Sequence, residues 1–165
     1  MNIYNAFNEL ASLSDWDDVV KPGEGDGEWE ITRHIMQCQQ SFFLQLNGDE
    51  SDGRVSFYIM FPFSVRPGKD ADMALVGNYI NALHEGSGRI VMLENRIVSY
   101  KDTVQTDEVS LSGELLALRI AKGFNVIHMF LDCISESAIT RKTGTEVIAA
   151  YGPRIMKKYG AKKRT

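Results

Sequence analysis

Cysteine and long hydrophobic runs are scarce in this chain, and each scarcity excludes a class of protein. Only two cysteines, Cys38 and Cys133, occur among the 165 residues, far apart and outside any CxxC pair. This argues against a disulfide framework and a cysteine-only zinc site. No apolar run reaches the roughly 18 residues of a membrane span, and the opening residues show no basic leader before an apolar stretch. We therefore expect a cytoplasmic protein without an export signal or a membrane anchor.

Positive charge is not in surplus either. The formal net charge of −4 gives no overall attraction for nucleic acid or for an anionic membrane. Hydrophobic residues make up 44% and charged residues 24% of the chain, which is typical of one globular domain that buries a core. We divide that domain into an N-terminal helix with an acidic glycine-rich loop (residues 1–27), an α+β core (28–159) and a basic tail (160–165).

The most strongly patterned stretch covers residues 52–67, which are rich in aromatic and β-branched side chains. Their alternation predicts the central strand of an antiparallel sheet, because successive side chains of a strand point to opposite faces. The other face is mixed and carries Tyr58 and Met60. The predicted core face carries Val55, Phe57, Ile59, Phe61 and Phe63.

The whole chain predicts an α+β fold with an antiparallel sheet of about five strands flanked by helices, in the order α-β-β-β-α-β-β-α. Acids and glycines predict a flexible loop for residues 21–27. The predicted elements are a helix over 3–13, strands over 28–37, 41–46 and 52–67, a helix from about 70 to 86, a hairpin over 89–101, a long helical region capped by Ser110 or Ser112 and a last helical segment over 145–159.

Single residues also carry expectations about where these helices begin and end. Asp70 or Asp72 is expected to cap the middle helix, and Gly86 to end it in the left-handed conformation. We expect Gly123 to interrupt the long helical region and Gly152-Pro153 to bend or break the last segment.

No nucleophile or zinc motif such as GxSxG or HExxH is present, and we expect no catalytic residue and no cofactor. The glycines of residues 23–27 do not resemble a phosphate loop, because they lie among acids and lead into a strand. His128 and Asp132 are four residues apart in a predicted helix, with Cys133 adjacent. We expect a half-buried histidine paired to an acid there, and a small-ligand or metal sensor using these three residues is an alternative function.

Charge is distributed unevenly along the chain. Residues 154–165 contain six cations and no acid, whereas residues 15–30 hold seven acids against one lysine. A solvated tail is the simpler interpretation of the basic end. Weak nucleic-acid binding through this end is a second alternative, which we do not favour because only Tyr159 is available for stacking.

Several hydrophobic segments resemble the YbjN family, a group of bacterial proteins described as sensory transduction regulators. The segments are Phe43 to Gly48, Val55 to Pro62, Ile80 to Leu83, Arg89 to Leu93, Ile97 to Tyr100, and Ile148 to Pro153. The resemblance covers residues 29–159 and implies a fold similar to that of type III secretion chaperones. It also implies a cytoplasmic binding domain that is not an enzyme.

The sequence therefore favours a non-enzymatic regulator or chaperone-like adaptor that binds an unknown protein partner and forms a homodimer. Sheet edges and apolar helix faces are the physical means of such recognition. The residues that we expect to contact a partner are Tyr58, Met60, Tyr151, Arg154, Lys157 and Lys158.

Overall fold

The computed structural model describes residues 2–17, 19–107 and 110–162, and over 158–162 it describes the backbone alone. Within these ranges the helices are α1 Ile3–Leu13, α2 Asp70–Leu83, α3 Gly113–Ile139 and α4 Gly144–Lys162. The strands are β1 Val20–Pro22, β2 Glu28–Gln37, β3 Gln40–Asp49, β4 Arg54–Ser64, β5 Arg89–Met92 and β6 Ile97–Gln105. None of the described helices has the length and apolar character that a membrane span requires.

The strands form one antiparallel sheet in the order β1-β2-β3-β4-β6-β5. This confirms the α+β class and the flanked antiparallel sheet, but the expected number of about five strands is wrong, because the sheet has six. The additional strand β1 begins just before the segment predicted as a flexible loop. Lys21 pairs there with Glu30, and Pro22 lies opposite Trp29.

The predicted order counts one C-terminal helix, but the region contains two, α3 and α4, and α4 covers the last helical segment predicted over residues 145–159. Thr143 and Glu146 form a reciprocal cap at the start of α4, where the Glu146 carboxylate accepts from Thr143 N at 2.7 Å and Glu146 N donates to Thr143 Oγ1 at 3.3 Å. This capping box satisfies amide groups that have no partner within the helix. The chain can therefore turn after α3 and begin a new helix.

The central strand is β4, which lies between β3 and β6. Its predicted core face is confirmed, because Val55, Phe57, Ile59 and Phe61 are buried and Phe63 is half-buried. Helix α1 covers the same side of the sheet with its own predicted stripe, in which Ile3, Phe7 and Leu10 are buried.

Three local signals in helices were misleading. The N-cap of α2 is Lys69, without a side-chain capping bond, and α2 ends before His84, whose backbone is extended, so neither an aspartate nor Gly86 has its predicted role. Helix α4 continues through Pro153, so the predicted break is absent, while the predicted bend stays a prediction. Its packing against α2 and α3 buries Gly152 and Ile155 on either side of this proline.

Gly123 does not interrupt α3 but lets it approach the sheet closely. A Cβ atom at this position would lie 2.8 Å from Tyr100 Cε1 and 2.9 Å from Ile59 Cδ1. Both distances are below ordinary van der Waals contact. The glycine is therefore required by packing between α3, β4 and β6.

We predict opposite effects of alanine at two buried helical glycines. Gly123→Ala should lower the free energy of unfolding by about 1 to 3 kcal/mol, since the added methyl group overpacks the contact with Tyr100. Gly77→Ala in α2 should raise it by about 0.5 to 1 kcal/mol, because alanine favours a helix over glycine and the nearest atom lies 3.8 Å away. Urea denaturation of both variants measures this, and equal effects would contradict the proposed role of Gly123.

Candidate protein-binding face

One face of the sheet is packed by helices and the other is open. Helices α1, α2 and α3 contact the strands, and α4 packs on α2 and α3. The contacts made by Gly48, Gly77 and Gly123 lie on the face that carries the buried side chains. We call the opposite side the open face, and the strand register assigns to it Glu28, Glu30, Thr32, His34 and Met36 of β2, Ser41, Phe43, Gln45, Asn47 and Asp49 of β3, Arg54, Ser56, Tyr58 and Met60 of β4, and Ser99, Lys101 and Thr103 of β6.

Side chains of the open face line up in rows across the strands. One row joins His34, Phe43 and Met60, in which the rings of His34 and Phe43 lie 5.1 Å apart. In the next row, Lys101 Nζ lies 5.2 Å from the centre of the Tyr58 ring. The first row is apolar and aromatic, while the second combines an aromatic ring with a cation.

Polar rows follow toward the other end of the open face. Ser56 Oγ and Thr103 Oγ1 lie 3.2 Å apart, and Gln45 Nε2 donates to Asn47 Oδ1 at 3.2 Å. These cross-strand and same-strand bonds hold polar side chains in a fixed arrangement on the sheet. The open face therefore changes from apolar to polar along the strands.

A hollow of about 400 Å³ lies at the polar end. Its charged lining residues are four acids, Glu24, Glu28, Glu30 and Asp49, together with Arg54. Hydrogen bonds from the Ser51 side chain and the Asp52 amide lower the pKa of Asp49, so this carboxylate stays ionised. The hollow therefore presents mainly negative charge.

The apolar end exposes a hydrophobic side chain at the sheet edge. Met36 has 65% of its surface accessible, more than any other large hydrophobic residue in the described chain. It lies two residues beyond His34, which is also exposed. Aromatic residues and methionine are enriched where proteins bind one another, so this composition suits a protein interface.

The structure divides the predicted partner-binding residues between two surfaces. Tyr58 and Met60 lie on the open face and are half-buried. Tyr151, Arg154 and Lys157 lie on α4, which packs against α2 and α3 on the other side of the sheet. The Lys158 side chain lies outside the described residues. One partner domain cannot contact both sets without wrapping around the molecule.

The structure does not bring together the three residues of the alternative sensor site. His128 and Asp132 are exposed on α3, whereas Cys133 is buried, and burial raises the pKa of its thiol to about 11. No described ion pair joins His128 to Asp132, so the expected half-buried histidine paired to an acid is wrong. Over the residues with described side chains, no group of three or more possible metal ligands is present.

A buried polar network was missed by sequence reasoning. Asp102 on the helix-covered face of β6 is only 4% exposed and accepts from Arg119 Nη1 of α3 at 3.2 Å. The same guanidinium donates to Ser87 Oγ in the loop between α2 and β5. The network thus joins α3, β6 and that loop, and it points into the core, away from the open face.

Two further groups in this region have shifted pKa values. Burial, followed by the negative charge of Asp102, raises the pKa of Tyr100 to about 12. Burial, followed by the positive charge of Arg89, lowers the pKa of His84. The Tyr100 hydroxyl packs against Gly88, where a Cβ atom would lie only 2.0 Å from it. The raised pKa of Tyr100 keeps its phenol protonated, and the lowered pKa of His84 favours its uncharged imidazole. Both side chains are therefore favoured in their neutral forms.

Comparison of the chain with protein-family models, with curated proteins and with solved structures finds no match. The resemblance to the YbjN family and to type III secretion chaperones therefore stays a prediction from the sequence.

We predict that Tyr100 makes the protein less stable in alkali. The unfolded phenol ionises near pH 10 and the folded one near pH 12, so the unfolded state loses its proton first. The associated stability is fully present below pH 10 and falls by roughly 2 to 3 kcal/mol as the pH rises to the folded pKa. Tyr100→Phe should abolish this part of the decrease in urea denaturation followed against pH. The matched variant Tyr58→Phe should retain it, and identical pH profiles for the two variants would contradict the assignment.

Proposed function

We propose that this protein is a non-enzymatic regulator or chaperone-like adaptor, of the bacterial type that the YbjN resemblance implies, and that it binds another protein through the open face. The observation that supports this proposal is the uncovered side of a six-stranded sheet, which carries both aromatic and charged side chains. A sheet face left without a helical layer offers a broad, preformed surface. Such a surface can bind a partner with little rearrangement.

The side chains of the open face indicate the chemistry of the partner. Phe43, Met60 and Met36 supply apolar contact area at one end, and Tyr58 with Lys101 lies at the centre. Buried aromatic anchors contribute most of the binding energy in protein interfaces. We therefore expect the partner to place apolar side chains over Phe43 and Met60.

The acidic hollow adds a polar requirement. Four carboxylates face one guanidinium there, and Arg54 already pairs with Asp52 at 3.2 Å. A partner segment with lysine or arginine at this end would match the charge, while an acidic segment would be repelled. The partner class is thus a protein surface with an apolar part next to a basic part.

We predict that Met60→Glu weakens partner binding by at least tenfold in Kd, which corresponds to about 1.4 kcal/mol. A carboxylate beside Phe43 would have to lose its water when the partner covers the apolar end. Leu118→Glu is the matched control, because Leu118 is a 52% exposed hydrophobic residue on α3. A photoreactive phenylalanine analogue placed at position 58 or at position 118 captures partners in the native cell. The affinity of the purified partner is then measured for the native protein, for Met60→Glu and for Leu118→Glu.

The proposal requires crosslinks from position 58 that are absent from position 118, and binding that Met60→Glu weakens and Leu118→Glu preserves. Thermal unfolding of both variants establishes that they remain folded. Capture from position 118 alone, or equal affinity of the two variants, would show that the open face is not the binding surface.

A further inference from the structure

The two edges of the sheet differ in their free backbone groups. At the β5 edge, the Asn81 side chain bonds both outward groups of Ile90: Ile90 N donates to Asn81 Oδ1 at 2.7 Å, and Asn81 Nδ2 donates to Ile90 O at 2.9 Å. At this residue the amide side chain takes the place of a neighbouring strand. Natural proteins protect edge strands in this way against unwanted pairing.

The β2 edge is protected over only part of its length. Strand β1 pairs with residues 29–31 of β2, and the loop before β2 bonds Glu28 through Gly23 N at 2.8 Å and Gly25 O at 3.1 Å. The same register places Val19 opposite Thr32. Beyond Thr32, no described residue pairs with the outer side of β2, and this free stretch runs from Arg33 to Gln37, where the chain turns into β3.

The turn at the end of β2 shows which backbone groups are free. Cys38 and Gln39 both have positive φ, 50° and 60°, and form a two-residue hairpin turn between the paired residues Gln37 and Gln40. In such a hairpin the flanking residues bond each other, so odd-numbered residues of β2 point their N–H and C=O groups toward β3. The even-numbered residues, His34 and Met36 among them, point these groups outward.

We propose that this free stretch pairs antiparallel with the same stretch of a second copy of this chain, around a two-fold axis at Ile35. Sequence position supports this axis, because Ile35 is the midpoint of the free residues 33–37. Steric constraints support it too. A pairing centred on His34 would push the hairpin turn of one copy into the place that β1 of the other occupies, whereas the Ile35 register ends beside β1.

The proposed register also satisfies the backbone and the side chains. His34 of each copy exchanges two hydrogen bonds with Met36 of the other, which uses the outward groups of both residues. On the helix-covered face, Ile35 lies beside Ile35 of the second copy, and Arg33 lies opposite Gln37. No two like charges face each other, which antiparallel pairing requires for stability.

An apolar groove next to Ile35 favours a second copy over a charged ligand. It has a volume of about 370 Å³ and is lined by Trp16, Ile35 and Phe124 among other residues, without any aspartate, glutamate, lysine or arginine. Across the two-fold axis, the grooves of both copies come together around the two isoleucines. Pairing therefore removes apolar surface from water in addition to forming hydrogen bonds.

The pairing uses the outward backbone groups of β2, whereas partner binding uses side chains of the open face, and only His34 and Met36 belong to both. Trapping at Ile35 changes no side chain of the open face, so it tests the pairing independently of the proposed function. The pairing gives the homodimer expected from the sequence a defined interface. An isologous pairing of this kind closes after two copies.

Charge reversal at the edge tests the pairing. Light scattering over a concentration series should give twice the chain mass of 18.5 kDa for the native protein. The double variants His34→Lys/Met36→Lys and His34→Glu/Met36→Glu should each dissociate, with a Kd raised at least tenfold, because like charges then face each other. A mixture of the two variants should restore the dimer. Met92→Lys at the protected β5 edge is the control that should remain dimeric.

Disulfide trapping tests the register. In a Cys38→Ser background, Ile35→Cys should form a disulfide between copies with oxidised glutathione, since directly opposed residues at a non-hydrogen-bonded site have Cα atoms about 4.5 Å apart. Arg33→Cys should not form one. In this register residue 33 lies opposite Gln37 of the second copy, so the two introduced cysteines are four residues apart along the strands.

A monomeric native protein would overturn the proposal and leave the edge to a different polypeptide. Dimers that survive in both double variants, or a mixture that stays monomeric, would place the interface elsewhere. Equal trapping through Arg33→Cys and Ile35→Cys would exclude the axis at Ile35. Circular dichroism of each variant distinguishes dissociation from unfolding.

Discussion

The close contact of α3 with the sheet at Gly123 is the constraint on which the rest of the structure depends. One turn before it on α3, Arg119 reaches the buried carboxylate of Asp102, so an apolar contact and an ion pair fix the same helix on β6. At its start, α3 is tied to α1 by Glu9, which accepts from Gly113 N at 2.8 Å. A buried ion pair adds little net stability but makes alternative packings costly, since either charge alone would be left uncompensated in the core. Helix α3 thereby holds the helical layer on one side of the sheet.

Because that layer is one-sided, the molecule has two surfaces of different character. The helix-covered side contains the hydrophobic core and the network around Asp102, and it presents the cations Arg154 and Lys157 on α4. The open face carries aromatic side chains and an acidic hollow. The acidic hollow and the cations of α4 therefore lie on opposite sides of the sheet, which separates these cations from any partner bound to the open face.

Periodicity predicted the elements whose burial is regular along the chain. Helix α1 and strand β4 follow their hydrophobic patterns, because each buries one continuous face. Strand β1 was not predictable in this way, since three residues that include Pro22 carry no pattern and pair only where β2 provides a partner. The second C-terminal helix was predicted from its spacing over 145–159, and the Thr143 to Glu146 capping box is a further signal that marks its start. Asp102 also had a sequence signal, because it alternates in phase with the apolar residues Val98, Tyr100 and Val104. A carboxylate on the buried face of a strand needs a cation as its partner.

The open face itself could be anticipated only in part. The alternation of β4 separated Tyr58 and Met60 from the core, but only the strand register brings Phe43, Gln45 and Lys101 next to them. Asn81 has a further consequence for the sheet as a whole. Since its side-chain amide bonds both outward groups of Ile90, a strand that approaches the β5 edge finds no free backbone partner at that residue. In the proposed pairing the β2 edges of two molecules bond each other, so a third molecule meets neither that edge nor the outward groups of Ile90 in a free state, which opposes growth into an open-ended fibril.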